Sequence, residues 1–277
     1  MDEPQNNQAR QFETLLLEER GEVDWLTLNR AESLNAMNAT MVAELRSYFR
    51  GLAERADRRV VVLKAAGRAF CAGLDLKETG ESSEPLALGT VQKGLTIQKG
   101  IAEIYLAMRR CPQPIIALVN GAACGGGFSL VMASDIRLAA TTAKMNCAYI
   151  RIGLGGCDMG SSYFLPRLVG SALASELILT GKFIDAKRAL AVGLVSQVVE
   201  PDQLEAAAQE DIQLMLTNSP LGLRLTKEAL NFNIDANGLE AAIALEDRNQ
   251  ILCVQTADAH EAIAAFLQRR APSYKDL

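Results

Sequence analysis

The stretch "PIIALVNGAACGGGFSLVMASDIRLAA" (residues 114–140) carries the reading of the fold. An unbroken apolar run opens it, with Pro112 and Pro114 marking its start, so residues 113–123 are expected to be a buried strand. Three glycines follow, and "GGGFSLVMAS" (125–134) turns from them into a helix. "DIRLAA" (135–140) then returns as a strand. Strand, glycine turn, helix and strand within so few residues is an α/β unit. Glycine after a strand lets the backbone approach another group closely and leaves its N–H groups unblocked. Here those N–H groups also open a helix, where the dipole favours negative charge.

A second stretch repeats the device upstream. "RVVVLKA" (59–65) reads as a buried strand, and "AAGRAFCAGLDLKE" (65–78) places Gly67 and Gly73 around a small, uncharged loop. Two such loops after successive strands could bring two backbone N–H groups onto one oxygen, the arrangement that stabilises an oxyanion. Each segment alone would serve equally as a tight turn.

The remainder fills in an α/β core to about residue 200. Residues 1–11 read as a frayed tail, and "FETLLLEERGEVDWLTLNR" (12–30) as two short strands turning at Glu19–Glu22. Residues 38–55 form a helix that Asn38 can cap, with Val42, Leu45, Phe49 and Leu52 on one face. Residues 91–110 are helical, with Leu95, Ile101, Ile104, Tyr105 and Met108 inward. "AKMNCAYI" (143–150) reads as a strand before a Gly-rich loop at 153–160. Helices follow near 171–180 and 186–192, the second capped by Asp185 and stopped by Gly193, and then a short strand at 194–200. From Pro201 the chain reads as almost wholly helical. "DAHEAIAAFLQRR" (258–270) opens with the Asp258–Glu261 spacing of a capping box. The expected division is a tail (1–11), a core (12–200) and a helical unit (201–277).

Composition excludes several classes. The 277 residues carry a net charge of −5, which argues against nucleic-acid or acidic-membrane partners while allowing a local basic pocket for a small anion. The six cysteines are scattered, with no CxxC pair, so they read as free, largely core thiols in a reducing, cytoplasmic setting. The acidic, polar start resembles no signal peptide, and no apolar run reaches the ~18 residues of a membrane span. His260 is the single histidine, in the helical tail, so neither a Ser-His-Asp triad nor a His-based metal site is supported. No phosphate loop is spelled, and "GLGGCD" has Asp158 where a dinucleotide fingerprint needs its third glycine.

The two glycine stretches together with "LPRLVGSALASELILTGKFIDAKRALAVGLVSQVVEP" (165–201) resemble the enoyl-CoA hydratase/isomerase family, the crotonase superfamily, over roughly residues 12–270. The resemblance implies an α/β fold, a spiral of ββα turns with a C-terminal helical domain used in trimerisation, often as a dimer of trimers. It implies an acyl-CoA thioester as partner and an enolate on the thioester oxygen, with no metal or redox cofactor; CoA arrives with the substrate. By the family pattern the two oxyanion N–H groups fall on Ala72 and Gly126. The segment around Ala72, Gly73, Leu74, Asp75 and Leu76 would also line the adenine pocket. "NRAESLNAM" (29–37), with Ala36, resembles the nucleotide-side segment, and has Ala31 where proline is common. Arg30, Lys64, Arg68 and Lys77 are candidate phosphate partners, joined by Arg269, Arg270 or Lys275 of a neighbouring subunit.

The pattern breaks at the acids. Hydratases of the family position water with two glutamates, and those positions hold Ser129 and Tyr149 here. Neither side chain replaces a carboxylate base near neutral pH. One acid lies nearby, Asp158 in "GLGGCDMGSSY" (153–163), where some isomerases of the family carry their single acid. An Asp capping the helix that begins near Gly160 would look the same in sequence. Asp135 is expected to anchor strand backbone. The resemblance points to proton transfer through a thioester enolate. The alternatives are hydration or hydrolysis with water held by Tyr149, Ser129 and Asp158, or a non-catalytic acyl-CoA-binding subunit.

Overall fold

The computed structural model describes residues 12–77 and 89–277. The first helix expected at 38–55 is α1 (Ala39–Gly51), whose first turn is capped by Asn38 accepting the Met41 N–H. It follows an antiparallel pair, β1 (Leu15–Arg20) and β2 (Val23–Leu28). Three turns of a spiral come next, each giving one long and one short strand. They are β3 (Val60–Ala65) with β4 (Ala69–Cys71), β5 (Ile115–Val119) with β6 (Ala122–Cys124), and β7 (Ile136–Ala140) with β8 (Lys144–Asn146). Helix α2 (Thr90–Arg110) follows β4 and α3 (Gly126–Ala133) follows β6, so the repeating unit is ββα.

Beyond β8 come α4 (Ser161–Val169), α5 (Ser171–Thr180), β9 (Ile184–Asp185), α6 (Ala186–Ala191) and β10 (Gln197–Val199). The long strands form a sheet in the order β1-β2-β3-β5-β7-β10, parallel from β2 onward, and the short ones a second sheet, β4-β6-β8-β9. Four helices complete the chain: α7 (Leu204–Leu216), α8 (Pro220–Asn233), α9 (Leu239–Val254) and α10 (Ala257–Gln268).

Both faces of the large sheet are covered, which is why its strands read as unbroken apolar runs. Val61, Leu63, Ile115 and Ala117 face the main core with α1, α2 and α3. Trp25, Val60, Val62, Ile116 and Leu118 face the other way, against Leu204, Ala208 and Ile212 of α7. Helix α7 therefore packs as a layer on the outer face of the large sheet. Helix α3 is buried on every side, as its glycine-rich, apolar sequence requires.

Several local expectations are corrected. Leu95 is exposed, because the first two turns of α2 run past the core that buries Ile101, Ile104, Tyr105 and Met108. The strand expected over 143–150 ends at Asn146, and residues 148–152 form a 3-10 turn. The capping box at Asp258 does not form. Thr256 caps α10 by accepting the Ala259 N–H, while Asp258 accepts the N–H groups of Lys275 and Asp276 and Glu261 that of Ser273. Both acids thus fold the C-terminal segment back onto α10. Asp185 caps α6 as expected. Asp135 accepts the Ile115 N–H, anchoring a strand backbone as expected.

Candidate active site

The two glycine loops meet at the junction of the sheets. A methyl group on Gly127 would lie 2.3 Å from the Cys71 carbonyl oxygen, so α3 starts in direct backbone contact with β4. Gly73 holds a positive φ of +100°, and a Cβ there would sit 3.0 Å from the Cys124 oxygen and 3.8 Å from the Gly126 nitrogen. Only glycine lets these segments approach so closely.

Hydrogen bonding decides which N–H groups are available. Met37 pairs with Leu74 as a parallel bridge: its N–H donates to the Gly73 oxygen (2.8 Å), and its carbonyl accepts the Asp75 N–H (3.0 Å). The ladder geometry turns the Leu74 N–H to the opposite side, away from Met37. Among the described residues it donates to no protein acceptor. The Ala72 N–H is committed to the Leu34 carbonyl oxygen at 3.0 Å. Ala72 therefore does not offer the donor expected of it; the available one lies two residues on, at Leu74. Gly126 fits the expectation. It is the first residue of α3, so no intrahelical carbonyl reaches its N–H.

Ser129, one turn into α3, and Tyr149, from the 3-10 turn, are both buried and share a hydrogen bond of 2.9 Å. The Tyr149 ring packs under the glycine turn, where a Cβ on Gly125 would lie 3.3 Å from its Cε1. Burial pushes the Tyr149 phenol well above its ordinary range; the Ser129 hydrogen bond opposes the rise and the Asp158 charge adds to it. Tyr105 donates to the Gly126 carbonyl oxygen (3.0 Å), and its phenol is pushed up by burial and then by Tyr149, Cys71 and Asp158. Tyr105, Tyr149 and Ser129 thus gather on the glycine turn, and the Asp158 charge is near enough to raise both phenols a little further.

Asp158 is not a helix cap. The N-cap of α4 is Gly160, and no side chain bonds to that helix end. The Asp158 Oδ1 accepts the Met159 N–H (2.8 Å) and the Gln98 Nε2 (2.5 Å). Met159 lies before α4, in the left-handed region at φ +49°. Gln98 went unnoticed in the sequence; it lies 60 residues away, and no local pattern points to it.

The nucleotide-side candidates divide. Arg30 bonds the Ala36 carbonyl oxygen (2.5 Å) and the Asp75 carboxylate (3.1 Å), bracing the segment that carries Leu74. Lys64 is corrected. It follows Val60 and Val62 on the outer face of the sheet, ion-paired with Glu205 of α7 and above the Trp25 ring. It lines a groove with Gly67 and Arg68, its ammonium already paired with Glu205. Arg68 and Leu76 are exposed on the loop side. Among the described residues no group of three or more His, Cys, Asp or Glu could hold a metal ion.

A ββα spiral whose glycine-flanked loops meet where the two sheets join is the architecture of the crotonase superfamily. The enoyl-CoA hydratase/isomerase profile matches residues 18–277. A probable enoyl-CoA hydratase, EchA12, of Mycobacterium bovis is 38% identical over 93% of this chain and 90% of its own length. The 1,2-epoxyphenylacetyl-CoA isomerase of Escherichia coli is 34% identical over 90% of this chain and 93% of its own. A putative enoyl-CoA hydratase from Streptomyces coelicolor superposes with a TM-score of 0.89 at 31% identity, covering both chains fully. The chain belongs to the enoyl-CoA hydratase/isomerase family, and it is an enzyme that processes acyl-CoA thioesters.

Proposed function

We propose that this enzyme isomerises a 3-enoyl-CoA by moving one proton, with Asp158 as the sole acid/base. The N–H groups of Leu74 and Gly126 hold the thioester oxygen. The Asp158 carboxylate removes a C2 proton, leaving the electron pair as an enolate on that oxygen. The resulting carboxylic acid returns the proton at C4 as the double bond shifts to C2–C3. CoA enters with the substrate; Arg68 and Lys77 are the phosphate candidates within the chain.

The observation that supports this reading is the state of three polar side chains, Ser129, Tyr149 and Asp158. Ser129 and Tyr149 are neutral hydroxyls bonded to each other, whereas the Asp158 carboxylate is tied to no helix end. A site with one carboxylate can shuttle a proton, but it lacks the second carboxylate that orders water in hydratases. One observation favours a second reading. Two hydroxyls sharing a single bond leave one O–H unspent, which could hold a water for hydration or hydrolysis. The Mycobacterium relative carries the hydratase name and the E. coli relative an isomerase name.

The test is a panel of saturated, 2-enoyl and 3-enoyl-CoA thioesters with the wild type and Asp158→Asn. Turnover of the 3-enoyl substrate is expected to fall at least ~10²-fold in the variant, the scale for losing a positioned proton-transfer group. Affinity for a CoA ester should change little. Wild-type rates in Asp158→Asn on every accepted substrate would refute the single-acid mechanism. CoA-ester binding without turnover of any substrate would identify a non-catalytic binding subunit.

The same proposal extends to assembly. Helices α8–α10 expose large apolar side chains, among them Leu230, Phe232, Leu239 and Phe266. A homotrimer, alone or as a dimer of trimers, would cover them and bring Arg269 and Lys275 toward a neighbour's CoA.

A further inference from the structure

We propose that Gln98 is the positioning residue of the active site, fixing which oxygen of Asp158 meets the substrate. The inference rests on the reading of Asp158 as the acid/base. Gln98 stands on the outward half of α2, and its Nε2 donates to the Asp158 Oδ1 across 60 residues of sequence. The same oxygen accepts the Met159 N–H. Both hydrogen bonds therefore fall on Oδ1, and among the described residues Oδ2 accepts none. A carboxylate anchored by one oxygen presents the other to a proton.

Two features make this bond consequential. No Lys, Arg or His ion-pairs with Asp158 among the described residues, so Gln98 is the one side chain donating to it. The Tyr149 and Tyr105 phenols, both raised mainly by burial, are the titratable groups on which its charge acts. The loop is also over-determined. The Asp158 N–H donates to the Ser161 hydroxyl (3.1 Å), the Ser161 N–H returns to the Asp158 carbonyl (2.9 Å), and Met159 is held in the left-handed region. Strain of this kind persists where surrounding contacts enforce it, often at functional sites. Gln98 completes the clamp from another element. It is itself exposed, so packing does not account for it.

The experiment is a charge series, Gln98→Leu, Gln98→Glu and Gln98→Lys, assayed beside Asp158→Asn with a 3-enoyl-CoA across the pH range. A donor to the carboxylate favours its anionic form, so its loss shifts the acid limb of kcat upward. Gln98→Leu is expected to lower kcat about tenfold or more, the scale of a hydrogen bond to a charged group, with KM nearly unchanged. Its acid limb should move up. Gln98→Glu should move it further up, and Gln98→Lys should move it down. Melting temperatures should stay close to wild type in all three, since an exposed substitution alters stability by roughly 0.5 kcal/mol or less. A crystal structure of Gln98→Leu should show the Asp158 carboxylate rotated from its present rotamer, a readout that needs no turnover.

If Asp158→Asn is crippled while the three variants keep the wild-type acid limb, the Gln98 inference fails alone. A uniform loss of kcat with no ordering by charge would assign Gln98 a packing role and overturn it too. If Asp158→Asn works normally, the parent reading falls and takes the Gln98 role with it.

Discussion

Gly73 is the residue on which the site's geometry turns. Its φ of +100° and its approach to the Cys124 oxygen leave no room for a Cβ. Gly73→Ala would push the Leu74 N–H away from Gly126. Turnover is expected to drop at least ~10²-fold, the usual cost of losing an oxyanion donor, with CoA-ester binding reduced as well. Steady-state kinetics on the best substrate of the panel checks this, and near-normal kcat would mean that Leu74 is not a donor. Tyr149→Phe makes a gentler change. It leaves the buried Ser129 hydroxyl without its partner and should cost about 1–3 kcal/mol in urea unfolding. At this scale the sequence was partly legible. The glycine turn could be read as a helix start with open N–H groups, and the family resemblance then pointed to Gly126. Ala72, the donor the resemblance implied, could not be corrected from sequence, because the Leu34 carbonyl that consumes its N–H arrives from another segment. Lys64 shows the same limit: the Glu205 carboxylate that occupies its ammonium arrives from α7, 141 residues on. Gln98 had no local signal at all.

Elements reveal more to a reader of sequence than single contacts do. The apolar runs, the Asn38 and Asp185 caps and the glycine turn into α3 all follow from local chemistry, and all form. The C-terminal helices were seen as helices, but their attachments were not. Thr256 outcompeted Asp258 as a cap because the carboxylate serves two N–H groups of the returning tail. Lys227 of α8 is buried, with its ammonium bonded to the Met108 and Gln113 carbonyl oxygens and paired with Asp135 at 2.9 Å. It ties α8 to the end of α2 and the start of β5. Lys227→Met is expected to destabilise the fold by about 3–5 kcal/mol, since it leaves the partner charge uncompensated, and urea denaturation would measure that. A loss under ~1 kcal/mol would show that Arg109, also bound to Asp135, suffices. The tail itself is pH-sensitive. The Arg270 guanidinium, and then the Ser273 N–H, hold the Glu261 carboxyl down at about 2. A lowered folded value gives stabilisation that is complete above the unfolded value of roughly 4.3 and lost as pH falls toward 2. Amide exchange at residues 271–277 should therefore quicken, relative to the core, between pH 4 and pH 2; uniform protection over that range would contradict it.

For the whole molecule, the apolar surface on α8–α10 argues most directly for assembly. Phe266 is 83% exposed, and Leu239 and Leu267 are exposed nearly as much. A soluble monomer seldom leaves a large contiguous patch of this kind open to water. Both faces of the large sheet and the whole of α3 are buried internally, and the last three helices hold the most exposed of the large apolar side chains, Phe266. Burying such a surface in a closed symmetric ring satisfies it on every copy at once, whereas an open contact would polymerise. Sedimentation at micromolar concentration should find a particle close to three or six times the 29.9 kDa chain. Phe266→Asp should shift it toward a single chain, because a carboxylate at a buried apolar contact goes unpaired. The same variant separates two contributions to binding. If Arg269 and Lys275 reach a neighbour's CoA, the dissociated form should bind a CoA ester more weakly, and with a smaller salt dependence, than the wild type. Should Phe266→Asp dissociate with CoA-ester affinity intact, each chain holds its CoA alone. A wild type that sediments only as a 29.9 kDa species would remove the assembly proposal entirely.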